Sequence, residues 1–82
     1  MHTSKSIRRR PVDSTSVRSV GYDLADWVLQ VEFDGGAVYN YFRVPPEEHA
    51  KLMAAESLGT YVDREIKRYY ESEQLEAAEE VS

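Results

Sequence analysis

The chain has 82 residues with a formal net charge of −5, and 41% of the residues are hydrophobic, including six tyrosines. A chain of this length can form one small hydrophobic core. The absence of cysteine excludes disulfides, thiolate nucleophiles and cysteine-ligated metal sites. No apolar run reaches the length of a signal peptide or a membrane span, so a cytoplasmic location is expected.

Both ends of the chain carry charge rather than apolar side chains. Residues 1–11 are basic and end at Pro11, which predicts a flexible leader. Residues 71–82 carry five glutamates and no basic side chain, which predicts a disordered acidic tail. The domain itself is expected to span residues 12–70.

Three strand patterns come first within that domain. Residues 17–23 are rich in β-branched and aromatic side chains. Residues 27–33 alternate strictly between apolar and polar, and after a turn at Asp-Gly-Gly, residues 37–44 form the third strand of an antiparallel meander. The alternation predicts an inward face made of Trp27, Leu29, Val31 and Phe33.

Two helices are predicted after the strands. Pro46 followed by two glutamates suits the first turn of a helix over residues 46–56, and Gly59 is expected to close it in the left-handed region. A second helix is predicted over residues 61–70, begun by Thr60. The expected fold is therefore α+β: a three-stranded antiparallel meander followed by two helices packed on one face.

The orientation of Tyr39 and Tyr41 depends on the length of the preceding turn. A two-residue loop would place both rings outside as a platform for stacked bases, whereas a three-residue loop ending at Gly36 would set them opposite Val31 and Leu29 in the core. The core orientation is favoured, because the other register buries the amide of Asn40 against apolar neighbours.

A basic ridge is predicted on the second helix, where Arg64, Lys67 and Arg68 follow helical spacing. With Arg43, this ridge could carry a phosphate backbone, or it could simply be a solvated face balanced by nearby acidic residues. No cofactor motif, metal-ligand spacing or serine–histidine pair is evident, so an enzyme is not expected.

Several short motifs occur in the order and spacing of a known family, and the chain resembles the KTSC domain over residues 12–70. That family is named for its place at the C-terminus of some lysyl-tRNA synthetases, and it also occurs as small bacterial proteins. The motifs are Val12-Asp13-Ser14, Val20-Gly21-Tyr22-Asp23, Tyr39-Asn40-Tyr41, Val44-Pro45 and Ser57-Leu58-Gly59-Thr60-Tyr61.

The resemblance implies a noncatalytic binding module, and its synthetase context suggests RNA as the ligand. The alternative is a protein-interaction module or homo-oligomer that uses an exposed sheet edge. If RNA is the ligand, the expected binding residues are Arg43, Arg64, Lys67, Arg68, Tyr39 and Tyr41.

Overall fold

The computed structural model describes residues 7–76 and shows an α+β fold with five strands. The helical part lies between the fourth and fifth strands and consists of α1 (Pro46–Ala54), α2 (Leu58–Tyr61) and a π-helical segment (Val62–Ile66). The strands are β1 (Arg9–Pro11), β2 (Val17–Asp23), β3 (Val28–Phe33), β4 (Val38–Tyr41) and β5 (Ser72–Glu76).

The five strands form one antiparallel sheet in the order β1-β2-β3-β4-β5. The predicted count of three strands is wrong, because β1 lies in the expected leader and β5 in the expected tail. Both are edge strands with mostly exposed side chains, so backbone pairing holds them without the apolar alternation that identifies a strand in sequence. The rest of the leader and tail, residues 1–6 and 77–82, lies outside the described residues.

The β3–β4 hairpin has the three-residue turn that places the tyrosines opposite the core strand. The Phe33 amide donates to the Ala37 carbonyl, and both turn glycines have φ near +100°. Tyr39 consequently pairs with Val31 and Tyr41 with Leu29. The favoured register is confirmed; it buries Tyr41 in the core and leaves Tyr39 half-buried at the margin of the core.

The core lies between one face of the sheet and the helical part. Leu29 and Val31 are fully buried there, but Trp27, which was predicted to join them, is 44% exposed. Trp27 precedes β3 in the turn and has φ of 57°, so the alternation that begins at Val28 does not extend to it. The remaining buried members of the core are Val17, Val20, Tyr41, Val44, Leu52, Val62 and Ile66.

The second helical stretch begins earlier than predicted and differs in geometry. Ser57, rather than Thr60, caps α2 by accepting a hydrogen bond from the Thr60 amide at 3.3 Å. Gly59 belongs to α2 and does not close α1; a Cβ there would lie 1.9 Å from the Ser16 hydroxyl oxygen. The helix then widens, and the Lys67 amide reaches back five residues to the Val62 carbonyl.

The sheet face opposite the helices carries a polar network across four strands. Gln30 is only 4% exposed, and its amide donates to the Asn40 side chain at 2.9 Å while its oxygen accepts from Arg9. Ser19 donates to Glu32 at 2.7 Å. These side chains satisfy one another, which accounts for polar residues buried on a sheet.

No helix within residues 7–76 is long and apolar enough to cross a membrane.

Candidate functional site

Three of the six predicted site residues meet in one cleft near the β5 edge of the sheet. Tyr39, Tyr41 and Lys67 line it together with Phe33, and its volume is about 550 Å³. We call this the aromatic cleft; its lining residues are Phe33, Ala37, Tyr39, Tyr41, Lys67 and Ser72.

The aromatic rings of the cleft form a continuous row. Phe33 meets Tyr39 edge-on, with centroids 5.7 Å apart and planes at 79°, and Tyr39 stacks beside Tyr41 at 6.2 Å. Tyr41 is 2% exposed and belongs to the core, whereas Phe33 and Tyr39 are half-buried. The accessible aromatic surface is therefore supplied by Phe33 and Tyr39.

Lys67 supplies the positive charge at the cleft. Its ammonium lies 4.9 Å from the centroid of the Phe33 ring and 3.1 Å from the Asp63 carboxylate. The side chain follows the π-helical segment directly, so the widened turn helps to set its direction. A cation beside an aromatic surface is suited to a planar, negatively charged ligand.

The other predicted cations are placed elsewhere. Arg64 lines a separate cleft with Tyr61 and Glu65, so the structure divides the predicted ridge. Arg68 is exposed and lines neither cleft. Arg43 is exposed two residues after β4 with φ of 60° and does not line the aromatic cleft.

Burial controls the ionisation of the tyrosine in the cleft wall. Desolvation, assisted by the nearby Tyr39 and Asp63, raises the pKa of Tyr41 to about 12. Burial likewise raises the pKa of Tyr22, Tyr61 and Tyr70 above the ordinary value. These hydroxyls resist ionisation in the fold more than in the unfolded chain.

Stability is accordingly expected to fall in alkali. The raised folded-state pKa of Tyr41 gives stability that is fully present below the unfolded value near pH 10 and is lost as the pH rises towards about 12. Thermal melts across this range should show a falling melting temperature, with a smaller fall for Tyr41→Phe. A slope for Tyr41→Phe equal to that of the wild type would contradict the assignment.

Sequence reasoning missed a second group of polar aromatic contacts around α1. Glu48 accepts a hydrogen bond from the Tyr61 hydroxyl and also interacts with Tyr70. His49 stacks on Tyr22 with centroids 4.4 Å apart and planes at 5°. Adjacent acidic and imidazole residues at a helix start do not reveal such partners, because the partners lie in distant parts of the sequence.

The side chains of residues 7–76 form neither a metal-binding group nor a serine–histidine pair. Within this range, no group of three or more histidine, aspartate or glutamate side chains is placed to hold a metal ion. Ser57 bonds to Thr60, and Ser14 accepts from backbone amides, so neither hydroxyl is paired with a histidine. The aromatic cleft is the arrangement best suited to binding a ligand.

Comparison with known proteins identifies the domain. The family model of the KTSC domain matches residues 13–70, which is most of the chain. The chain belongs to the KTSC domain family. The resemblance inferred from the sequence motifs is thereby confirmed.

Relatives of this KTSC domain include small proteins and parts of larger ones. The chain is 45% identical over 58 residues to a protein of Tsukamurella paurometabola, covering 71% of this chain and 87% of that one. It is 35% identical over 63 residues to a lysine–tRNA ligase of Nostoc punctiforme, covering 77% of this chain but 11% of the ligase.

A crystal structure supports the fold of this KTSC domain. The KTSC domain protein of Yersinia pestis superimposes with a TM-score of 0.80 at 32% identity, and the match covers 87% of this chain and 100% of that one. The five-stranded sheet with its helices thus has a solved counterpart in the family.

Proposed function

We propose that this KTSC domain is a noncatalytic module that binds single-stranded RNA and holds one base in the aromatic cleft. The observation that carries the proposal is the meeting of Phe33, Tyr39 and Lys67 around one open volume. A base would contact the accessible rings, and Lys67 would contact the adjoining phosphate.

The aromatic part of the cleft offers enough surface for a base. Stacking of a base on an aromatic side chain contributes about 1–3 kcal/mol. The volume of about 550 Å³ falls within the range of small-ligand sites, roughly 300–1,000 Å³. Because Phe33 and Tyr39 are held by core strands, the surface is formed before the ligand arrives.

Lys67 can exchange its carboxylate partner for a phosphate at a small cost in free energy. The ion pair between Lys67 and Asp63 joins two partly exposed side chains, and such pairs contribute about 0–1 kcal/mol. A phosphate can therefore replace the carboxylate as the partner of Lys67. Arg64, Arg68 and Arg43 would add to the field without touching the bound base.

The family relationship supports RNA as the ligand class. The chain is similar to part of a lysine–tRNA ligase, whose name states that its substrate is tRNA. The match covers only 11% of the ligase, so the similarity says nothing about the ligase's catalytic activity. A binding role without chemistry agrees with serine hydroxyls that are engaged in local hydrogen bonds.

The edge-pairing alternative has less support in the structure. β1 is only three residues long and ends in Pro11, which lacks an amide hydrogen for pairing. β5 is longer, but glutamates at positions 73 and 76 place negative charge along its exposed length. Short length, proline and charge are the features that protect sheet edges from other strands.

Lys67→Glu is expected to weaken binding of a fluorescently labelled single-stranded RNA and to reduce the salt dependence of its affinity, because one phosphate contact is lost.

Tyr39→Leu should weaken binding of the same RNA by roughly 5- to 150-fold, corresponding to the loss of one stacked base. Anisotropy titrations at two salt concentrations measure both effects, and thermal melts establish that each variant is folded.

Lys51→Glu is the matched control, since Lys51 is exposed on α1 and lies outside the aromatic cleft. It makes the same charge change and should leave most of the affinity intact. Equal losses for Lys51→Glu and Lys67→Glu would show that only net charge matters. Unchanged affinity in both cleft variants would refute RNA binding at this site.

A further inference from the structure

A second cleft lies near the opposite edge of the sheet, between β1 and α1. Arg8 and Arg10 form one side, while Tyr22, His49 and Met53 form the other, and the volume is about 390 Å³. We call this cleft the basic trough. It shares no lining residue with the aromatic cleft.

The two arginines reach the trough because of strand alternation. Arg10 pairs with Val20, a core residue, so the Arg10 side chain lies on the helix side of the sheet. Arg8 is two residues earlier in the chain, and its side chain lies on the same side. Arg9 faces the other way and is engaged by Ser19 and Gln30.

Among the described residues, no carboxylate forms a salt bridge with the two arginines of the trough. Within residues 7–76, the salt bridges formed by arginines involve Arg9 and Arg18, while Arg8 and Arg10 have no acidic partner. Both are exposed; Arg10 lies in β1, and Arg8 is the residue just before that strand. Two adjacent guanidinium groups without a carboxylate favour an anion that can accept several hydrogen bonds.

The opposite wall is lined by Tyr22, His49 and Met53, and the carboxylates of Glu47 and Asp23 lie near enough to Tyr22 to help raise its pKa. The Tyr22 hydroxyl donates to the Val44 carbonyl, which holds the ring against His49. Burial lowers the pKa of His49, so its imidazole stays neutral to a lower pH than an ordinary histidine does. Within the described residues the imidazole has no hydrogen-bond partner, which leaves its N–H able to donate to a ligand.

We propose that the basic trough binds a phosphate group, with Arg8 and Arg10 as the charged contacts and the His49 imidazole as an N–H donor. The group can belong to a free phosphate, a nucleotide or an RNA end, since all three present the same oxygens. This inference is independent of base binding in the aromatic cleft, because it uses other residues.

The test is NMR on the full chain with the signals of the Gly21 amide and the His49 imidazole as reporters. Inorganic phosphate, adenosine monophosphate and an RNA oligonucleotide with or without a 5′-phosphate are added separately. At least one of these phosphates should produce a saturable shift at both reporters. His2, the other histidine of the chain, provides a reference signal in the same sample.

Arg10→Gln should weaken the binding about tenfold, as expected for one charge-assisted contact. Arg18→Gln removes the same charge from the opposite side of the sheet, where Arg18 contacts Glu32 at 3.5 Å, and should leave binding unchanged. Shifts no larger than those from sodium chloride at equal ionic strength would overturn the proposal. Equal weakening by both variants would also overturn it.

The experiments can reject either of the two proposed binding sites without rejecting the other. RNA binding that is lost in Lys67→Glu but kept in Arg10→Gln, without any phosphate shift, supports the aromatic cleft and rejects the trough. Phosphate shifts that are lost in Arg10→Gln, in a protein that binds no RNA, support the trough and reject the proposed function.

Discussion

Leu29→Ala is expected to lower the free energy of unfolding by about 2–5 kcal/mol. Leu29 is 0% exposed in the centre of the sheet, where it pairs with Tyr41 on one side and Tyr22 on the other. Truncation removes apolar contacts and leaves a cavity that rigid strands cannot close. A domain of this size has only a few kcal/mol of stability, so a large fraction of the Leu29→Ala variant should be unfolded without denaturant.

Leu24→Ala is the matched control for the core substitution. It makes the same chemical change at a leucine that is 64% exposed, and its effect should be within about 0.5 kcal/mol. Chemical denaturation of the two variants measures the difference. Similar midpoints for Leu29→Ala and the wild type would contradict the placement of Leu29 in the core.

Gly21→Ala is expected to displace β1 from the sheet. A Cβ at this position would lie 2.5 Å from the Arg8 carbonyl oxygen and 2.8 Å from the Ile7 side chain. The first of these is backbone, so the strand must move rather than a side chain rotate. Overpacking of this kind costs about 1–3 kcal/mol, and the amides paired between β1 and β2 should lose protection from hydrogen exchange.

Gly59→Ala provides the comparison, because its Cβ would meet the hydroxyl of Ser16, an exposed side chain that can rotate. Its effect should be smaller, and protection of β1 should be retained. Gly21→Ala should also abolish phosphate shifts in the basic trough, since Arg10 lies in β1 and Arg8 directly precedes it. Normal exchange protection of β1 in Gly21→Ala would refute the close approach.

Different interactions hold the different parts of the domain in place. β3 and β4 are held by buried side chains, and loss of one of them affects the whole fold. β1 is held by backbone pairing, the Arg9 network and the space left by Gly21, so it can be released by itself. The basic trough depends on that edge, whereas the aromatic cleft does not.

Local sequence patterns predicted much of the fold. Alternation from Val28 onwards identified β3, and the cost of burying Asn40 among apolar residues favoured the observed hairpin register. Trp27 could not be placed by the same pattern, because its backbone is left-handed and the strand begins only at the next residue. The edge strands were missed because their side chains are exposed and carry no alternation.

The candidate site was only partly predictable. Tyr39, Tyr41 and Lys67 were singled out from residue type, and the structure brings them together. Arg64 was expected beside Lys67 from regular helical spacing, but the turn between them is π-helical and the two line separate clefts. Helix geometry of this kind depends on packing against the sheet, which spacing along the chain does not contain.

The sequence by itself determined the family, the α+β class, the central strands and the hairpin register, because each depends on neighbouring residues and on which side chains avoid water. Only the tertiary structure decided the pairing of β1 and β5, the division of the basic ridge and the meeting of Tyr22 with His49. Those features arise from contacts between distant segments, and their free energy comes from the folded arrangement rather than from local preference.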